Sequence, residues 1–244
     1  MPNYPKRTNF FLFICLVFGS GGLFAGAKPD SLRVLFIGNS YTYGNDLPEL
    51  LAQLMTAKDV KFRYESVTTG GATLQKHWEE GKAQAAIHRK TWDFVVLQEQ
   101  SVRPFTQREA FFKYARLLDA EIRKTGAKPL FYATWAAKAK PDEQPKLTEA
   151  YQTIGKELGS LVAPVGEAWK RALSDSLTLH GSDGRHPNLA GSYLAGCVLY
   201  RVMTRKKAAR LPRQVIRNGK PSAGLTEEMA KTLQKIADKT SLDQ

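Results

Sequence analysis

The chain has 244 residues, 43% hydrophobic and 24% charged, with a formal net charge of +13. That length suits one α/β domain with a sizeable core, and that composition excludes a disordered or collagen-like chain. With two cysteines in the whole sequence, it is not a disulfide-built scaffold either.

Residues 1–27 read as an export signal. Lys6 and Arg7 form a basic start, an apolar stretch runs from Phe10 to about Phe24, and "AGA" sets Ala25 and Ala27 before Lys28. The alternative is a retained membrane anchor, which Gly19, Gly21, Gly22 and Gly26 disfavour as a spanning helix. Cys15, preceded by Ile14 and close to the basic residues, does not make a lipid-attachment site. The expected mature chain is one domain over 28–244, periplasmic or secreted. Its charge falls to +11 with Lys6 and Arg7 removed, and Cys197 is its one cysteine, in an apolar helical pattern that points to packing.

Downstream, apolar runs alternate with amphipathic stretches. Strands are predicted at Arg33–Ile37, Phe62–Val67, Phe94–Leu97, Pro129–Ala133 and Leu161–Val165. Helices are predicted at Leu47–Ala57, in a broken segment from Leu74 to His88, and at Gln107–Thr125, Lys146–Leu158 and Asn188–Arg205. A closing helix spans 224–239, capped by Thr226 with Glu228 in its first turn. Strand–helix alternation with short apolar strands predicts a parallel sheet covered on both faces. The stretch 201–220 holds eight Lys or Arg and no acid. Nucleic-acid binding is one reading of it, but no nucleic-acid motif accompanies it. A solvated basic face, suited to anionic envelope polymers or headgroups, fits an exported chain better.

In an open parallel sheet, ligands bind beyond the carboxyl ends of the strands. The segments falling there are Gly38-Asn39-Ser40, "TTGGATL" with Gly70 and Gly71, "QEQS" from Gln98 to Ser101, and "TWAAK" with Trp135. After the fifth strand comes "GSDGRHPNLAGSYLAG". There an Asp three residues before a His can hold one ring nitrogen and leave the other as a base. Pro187 suits the first position of the next helix. Taken singly, Ser40 is a helix cap or a nucleophile, the glycines are turn residues, and the Asp183–His186 loop is a structural turn. Gln98 and Gln100 are polar strand ends, and Trp135 is core or a pocket wall. Together the order Ser…Asp…His matches one known order of catalytic triads. His77, His88 and His180 lack metal-cluster spacing, so no metal or other cofactor is expected. His77 is read as lining the cleft or lying on a helix surface.

"FIGNSYT", "GGATL", "QEQS" and "DGRHPNLAGSYLAG", in that order, resemble the blocks of the SGNH/GDSL hydrolase superfamily of serine esterases. The likeness is to the branch with Gly-Asn-Ser and Leu-Gln-Glu-Gln-Ser motifs, and it spans most of the mature chain. It implies a three-layer α/β/α, flavodoxin-like fold with a five-stranded parallel sheet. It also implies an acyl-enzyme mechanism with Ser40 as nucleophile, His186 as base and Asp183 orienting it. The oxyanion hole it implies is made by the N–H groups of Ser40 and Gly71 and by the amide of Gln100, which stands where the family has Asn. Gln98 is the other candidate for that role, and Asn39, Gln98 and Trp135 are candidates to line the pocket. Glu99, on the opposite face of the strand, is expected to take no catalytic part. The expected activity is hydrolysis of small or carbohydrate-linked esters, acetyl esters first. The alternatives are a silent polysaccharide- or envelope-binding member of the fold and an acyltransferase with the same triad.

Overall fold

A computed structural model describes residues 1, 2 and 31–242, so the expected export signal lies outside the described residues. The chain runs β1 (Leu32–Gly38), α1 (Ser40–Tyr43), α2 (Leu47–Thr56), β2 (Phe62–Thr68), α3 (Leu74–Glu79), α4 (Lys82–Arg89) and β3 (Phe94–Leu97). It continues through α5 (Arg103–Thr106), α6 (Arg108–Lys124), β4 (Lys128–Tyr132), α7 (Gln144–Leu158), β5 (Leu161–Ala163) and α8 (Val165–Ser174). Last come α9 (Leu189–Thr204), β6 (Ile216–Arg217), β7 (Lys220–Pro221) and α10 (Glu227–Lys239).

β1 to β5 form one parallel sheet in the order β2-β1-β3-β4-β5. Successive strand residues face opposite ways. Val34, Phe36, Val96, Leu130 and Tyr132 pack under α2, α8, α9 and α10. Leu35, Ile37, Val95, Leu97 and Phe131 pack under α4, α6 and α7. Both faces are therefore buried, and the molecule is the expected three-layer α/β/α sandwich. The strand order reverses direction at β1, which opens a crevice between the carboxyl ends of β1 and β3.

Several boundaries differ from the sequence expectation, each for a local reason. β5 stops at Ala163 rather than Val165, because Pro164 has no N–H for the ladder and Val165 opens α8. α8 itself was not foreseen, although Val165, Ala168, Trp169 and Ala172 sit at helical spacing on its buried face. The broken 74–88 segment is two helices parted at Gly81, whose φ of 71° suits glycine. Pro187 is not the first residue of α9. Asn188 caps that helix, accepting from Gly191 N–H at 2.9 Å, while Pro187 bridges to His180. Thr226 caps α10 as expected, accepting from Met229 N–H.

The basic stretch is not wholly a solvated face. Arg201 is largely buried, with its Nε 3.2 Å from Asp238, and it donates to the carbonyls of Ala237 and Thr240 at the end of α10. Arg217 donates to the Asn45 carbonyl, and Gln53 of α2 exchanges two hydrogen bonds with the backbone of Ile216. These ties dock the small β6–β7 hairpin on α2. Cys197 is buried in α9, as its pattern implied.

Gly166, in the first turn of α8, leaves no room for a side chain: a Cβ there would meet the carbonyl of Thr134 and Nε2 of Gln144. Gly166→Ala should therefore cost about 1–3 kcal/mol by overpacking, read as a lowered urea midpoint at unchanged slope.

Candidate active site

β1 runs directly into the site. Asn39 leaves the strand extended (φ −134°, ψ −151°) and caps α1. Its Oδ1 accepts from Tyr41 N–H at 3.0 Å, and its carbonyl accepts from Thr42 and Tyr43 N–H at 2.9 and 3.1 Å. One residue thus takes three of the first four amides of the helix. The N–H of Ser40, the first helical residue, is the one left without a partner among the described residues. Asn39 also reaches sideways, its Nδ2 donating to the Ala72 carbonyl at 2.9 Å.

Ser40 and His186 are 146 residues apart in sequence, yet Oγ of Ser40 and Nε2 of His186 lie 2.8 Å apart. Nδ1 of His186 is 2.5 Å from Oδ2 of Asp183. The other carboxylate oxygen, Oδ1, accepts the N–H groups of Arg185 and His186 at 3.0 Å each. The hydrogen bond from His186, then the backbone donors, hold the Asp183 carboxyl well below the usual carboxylate range. An ionised Asp183 makes Nδ1 the protonated ring nitrogen and leaves Nε2 to accept from the Ser40 hydroxyl. Both Asp183 and His186 are nearly half exposed, so the dyad faces solvent.

An aromatic stack holds the histidine loop close to Ser40. Tyr41 lies flat on Trp135 (centroids 4.7 Å apart, planes 1° apart), and Trp135 lies on Trp169 (3.8 Å, 5°). The edge of the stack meets His186, 5.4 Å from Tyr41 at 74°. Nε1 of Trp135 donates to the Arg185 carbonyl at 3.0 Å, tying the stack to the residue before the histidine. Trp135 is 1% exposed. It is core, and it also lines a cavity of about 220 Å³ that Tyr41, Val102, Phe105, Lys140 and Arg185 help to form. Burial, foremost, pushes the Tyr41 hydroxyl up to about 12.

Gly71 has φ +65°, and a Cβ there would meet nothing within 4 Å, so the glycine serves backbone conformation and not space. Ala72 N–H closes this turn on the Thr69 carbonyl, which leaves the Gly71 N–H uncommitted among the described residues. Thr73 caps α3 by accepting from Lys76 N–H. Gln100 is partly buried; its Oε1 accepts from Val102 and Arg103 N–H at the start of α5, and its Nε2 donates to Ser101 Oγ at 3.1 Å. The second Nε2 hydrogen has no partner among the described residues.

Two expected pocket residues are corrected. Gln98 is fully buried and does not line a cavity; its Oε1 accepts from Asn39 N–H (2.9 Å) and the Thr42 hydroxyl (2.8 Å). Its Nε2 donates to the Glu99 carbonyl at 2.6 Å, and its complete burial sets the amide in the scaffold beneath the site. Asn39, 3% exposed, is likewise scaffold. Nor is His77 at the cleft or on a helix surface: it is buried, with Nε2 2.8 Å from the Gly38 carbonyl, and burial lowers its pKa. His180, also buried, holds the Ala136 carbonyl at 3.0 Å. Among the described residues no group of three or more His, Cys, Asp or Glu could hold a metal ion.

No family model matches the chain, and no curated protein does. Among solved structures it is similar to an SGNH-family hydrolase from Slackia heliotrinireducens, at 32% identity over 71% of this chain and 99% of that one, with a TM-score of 0.60. A DUF4886 family protein from Bacteroides uniformis superposes at a TM-score of 0.70, with 17% identity over 86% of this chain and 94% of that one. A catalytic mutant of an acetylxylan esterase from Geobacillus stearothermophilus gives 0.59, with 16% identity over 71% and 94%.

Gln98→Leu tests the scaffold, because it keeps the volume and strands the Asn39 N–H and Thr42 hydroxyl. We expect a stability loss of about 1–3 kcal/mol by denaturant unfolding. With the fold, the crevice and the 32% identical relative in agreement, the chain belongs to the SGNH hydrolase superfamily.

Proposed function

We propose that this SGNH hydrolase is an exported serine esterase that works through an acyl-enzyme on Ser40. The observation that carries it is the unbroken chain of contacts from Ser40 Oγ to His186 Nε2 and from His186 Nδ1 to Asp183. His186 Nε2 takes the hydroxyl proton as Oγ bonds to the ester carbonyl carbon. The carbonyl electrons move onto oxygen, which sits among the N–H groups of Ser40 and Gly71 and the free amide hydrogen of Gln100. When the oxyanion collapses, the carbon–alkoxy bond breaks and the proton on Nε2 passes to the leaving alcohol. Water then repeats the sequence, giving its proton to Nε2 and releasing the acid as that proton returns to Ser40. Asp183 stays ionised throughout and stabilises the imidazolium.

Small esters on a carbohydrate alcohol, acetyl esters first, fit an open triad beside a cavity of about 220 Å³. The fold likeness to an acetylxylan esterase supports the same class. Export rests on the sequence of residues 1–27, and the exposed part of 205–220 suits an anionic envelope surface.

A fluorophosphonate probe should label the wild type and not Ser40→Ala, with hydrolysis of nitrophenyl acetate lost in parallel. A folded wild type that neither takes the label nor turns over would leave the binding-protein reading in its place. Asp183→Asn should lower kcat by about 10³-fold or more while the label still attaches slowly. Gln100→Ala should cost about 10²-fold in kcat if its amide completes the hole. Release of acetate from acetylated xylan, measured by ion chromatography, checks the substrate class.

A further inference from the structure

Glu99 is an ionisable group at the crevice that the triad does not use, and it is fully buried. Its side chain leaves the end of β3 and meets the first turn of α3. Oε1 accepts from its neighbour Gln100 N–H at 2.6 Å, and Leu74 N–H is shared between Oε1 and Oε2 at 3.3 and 3.4 Å. Leu74 is the first residue of α3, three after Gly71, so the two bonded amides belong to the helix that ends the Gly71 loop and to the Gln100 loop. Among the described residues no backbone–backbone hydrogen bond joins these loops. They are joined instead by this carboxyl, with a second tie from Arg103 of α5, which donates to Gln75 Oε1 of α3.

We propose that Glu99 is a positioning residue for the oxyanion hole, its carboxylate clamping the Gly71 loop and the Gln100 loop at a fixed separation. The proposal rests on the Ser40 acyl-enzyme reading. A hole is worth its full effect only when its donors are preset, and a displacement of about 1 Å can cost about 10²-fold. A buried carboxyl is a costly way to hold two amides, because desolvation penalises its charge. Burial pushes the Glu99 carboxyl up to about 7, against the pull of the Gln100 N–H, the Arg103 charge and the Leu74 N–H. The other titratable group facing it is Tyr151 of α7, whose hydroxyl burial keeps neutral. Above pH about 7 the ionised carboxylate accepts from both amides; below it, one oxygen carries a proton and the grip loosens. The clamp therefore tightens as pH rises.

The test measures kcat and KM for nitrophenyl acetate across the range from mildly acidic to mildly alkaline pH, per active site titrated with the fluorophosphonate. Glu99→Ala should lose about 10-fold or more in kcat with KM within about twofold. Glu99→Gln keeps an acceptor oxygen for both amides. As the neutral isostere of the protonated acid it should match wild type below pH about 7, fall short of it but stay above Glu99→Ala at pH about 8, and lose the part of the kcat rise centred near 7 that Glu99 contributes. A phenylboronic acid, which binds Ser40 as a tetrahedral anion, should weaken by the same factor as kcat/KM falls. Unchanged kcat per titrated site in Glu99→Ala, with only stability or the number of active sites reduced, would overturn the proposal. If the alanine variant does not fold, the wild type decides. The amide protons of Leu74 and Gln100 should titrate together near pH 7 by NMR, and resonances that move independently overturn the clamp. Failure of the underlying reading is separate, since the wild type itself would then resist the probe.

Discussion

The amide oxygen of Gln98 lies where a side chain on residue 38 would begin. A Cβ built on Gly38 would fall 2.6 Å from that oxygen and 2.5 Å from the hydroxyl of Thr42. Only a residue without a side chain lets β3 reach across to the end of β1 here. Because of that reach, Gln98 holds the Asn39 N–H, Asn39 in its extended form caps α1, and Ser40 becomes the first residue of the helix with its N–H unspent. The same asparagine holds Ala72, so the loop carrying Gly71 takes its place from the same point. Ser40 and the Gly71 loop therefore share a single buried anchor.

The histidine loop arrives from the far edge of the sheet and needs a different constraint. Tyr41, Trp135 and Trp169 supply it as a stack of flat surfaces, which resists sliding less than it resists separation. The indole hydrogen bond to Arg185 adds the missing direction. Trp169 and His180 brace the outer end edge to face. The site thus joins a hydrogen-bonded half, built around Asn39 and Gln98, to an aromatic half, built around Trp135.

Sequence patterning reached some of this and missed the rest for reasons that can be named. Ser40, Asp183 and His186 were legible because parallel connectivity places their loops on one edge and because the acid–base spacing is local. Asn39 and Gln98 are buried and turn to neighbouring backbone, which their places beyond the strand ends do not reveal. A polar residue beyond a strand end reads the same whether it faces solvent or turns inward to satisfy a neighbour's backbone, and only the partner's position decides. The same ambiguity hid His77, whose ring seals the Gly38 carbonyl, and Glu99, set aside for pointing away from the nucleophile. α8 was overlooked although its apolar spacing was present, because the run into Pro164 and Val165 read as more strand.

Asp183 and His186 lie on one turn, and the turn's own amides fix the carboxylate. Asp183 and His186 are therefore placed relative to each other locally, and the long-range distance left to the fold is the gap between Ser40 and that pair. The aromatic stack and the indole bond to Arg185 act on that distance, because the acid–base pair is held by its own turn.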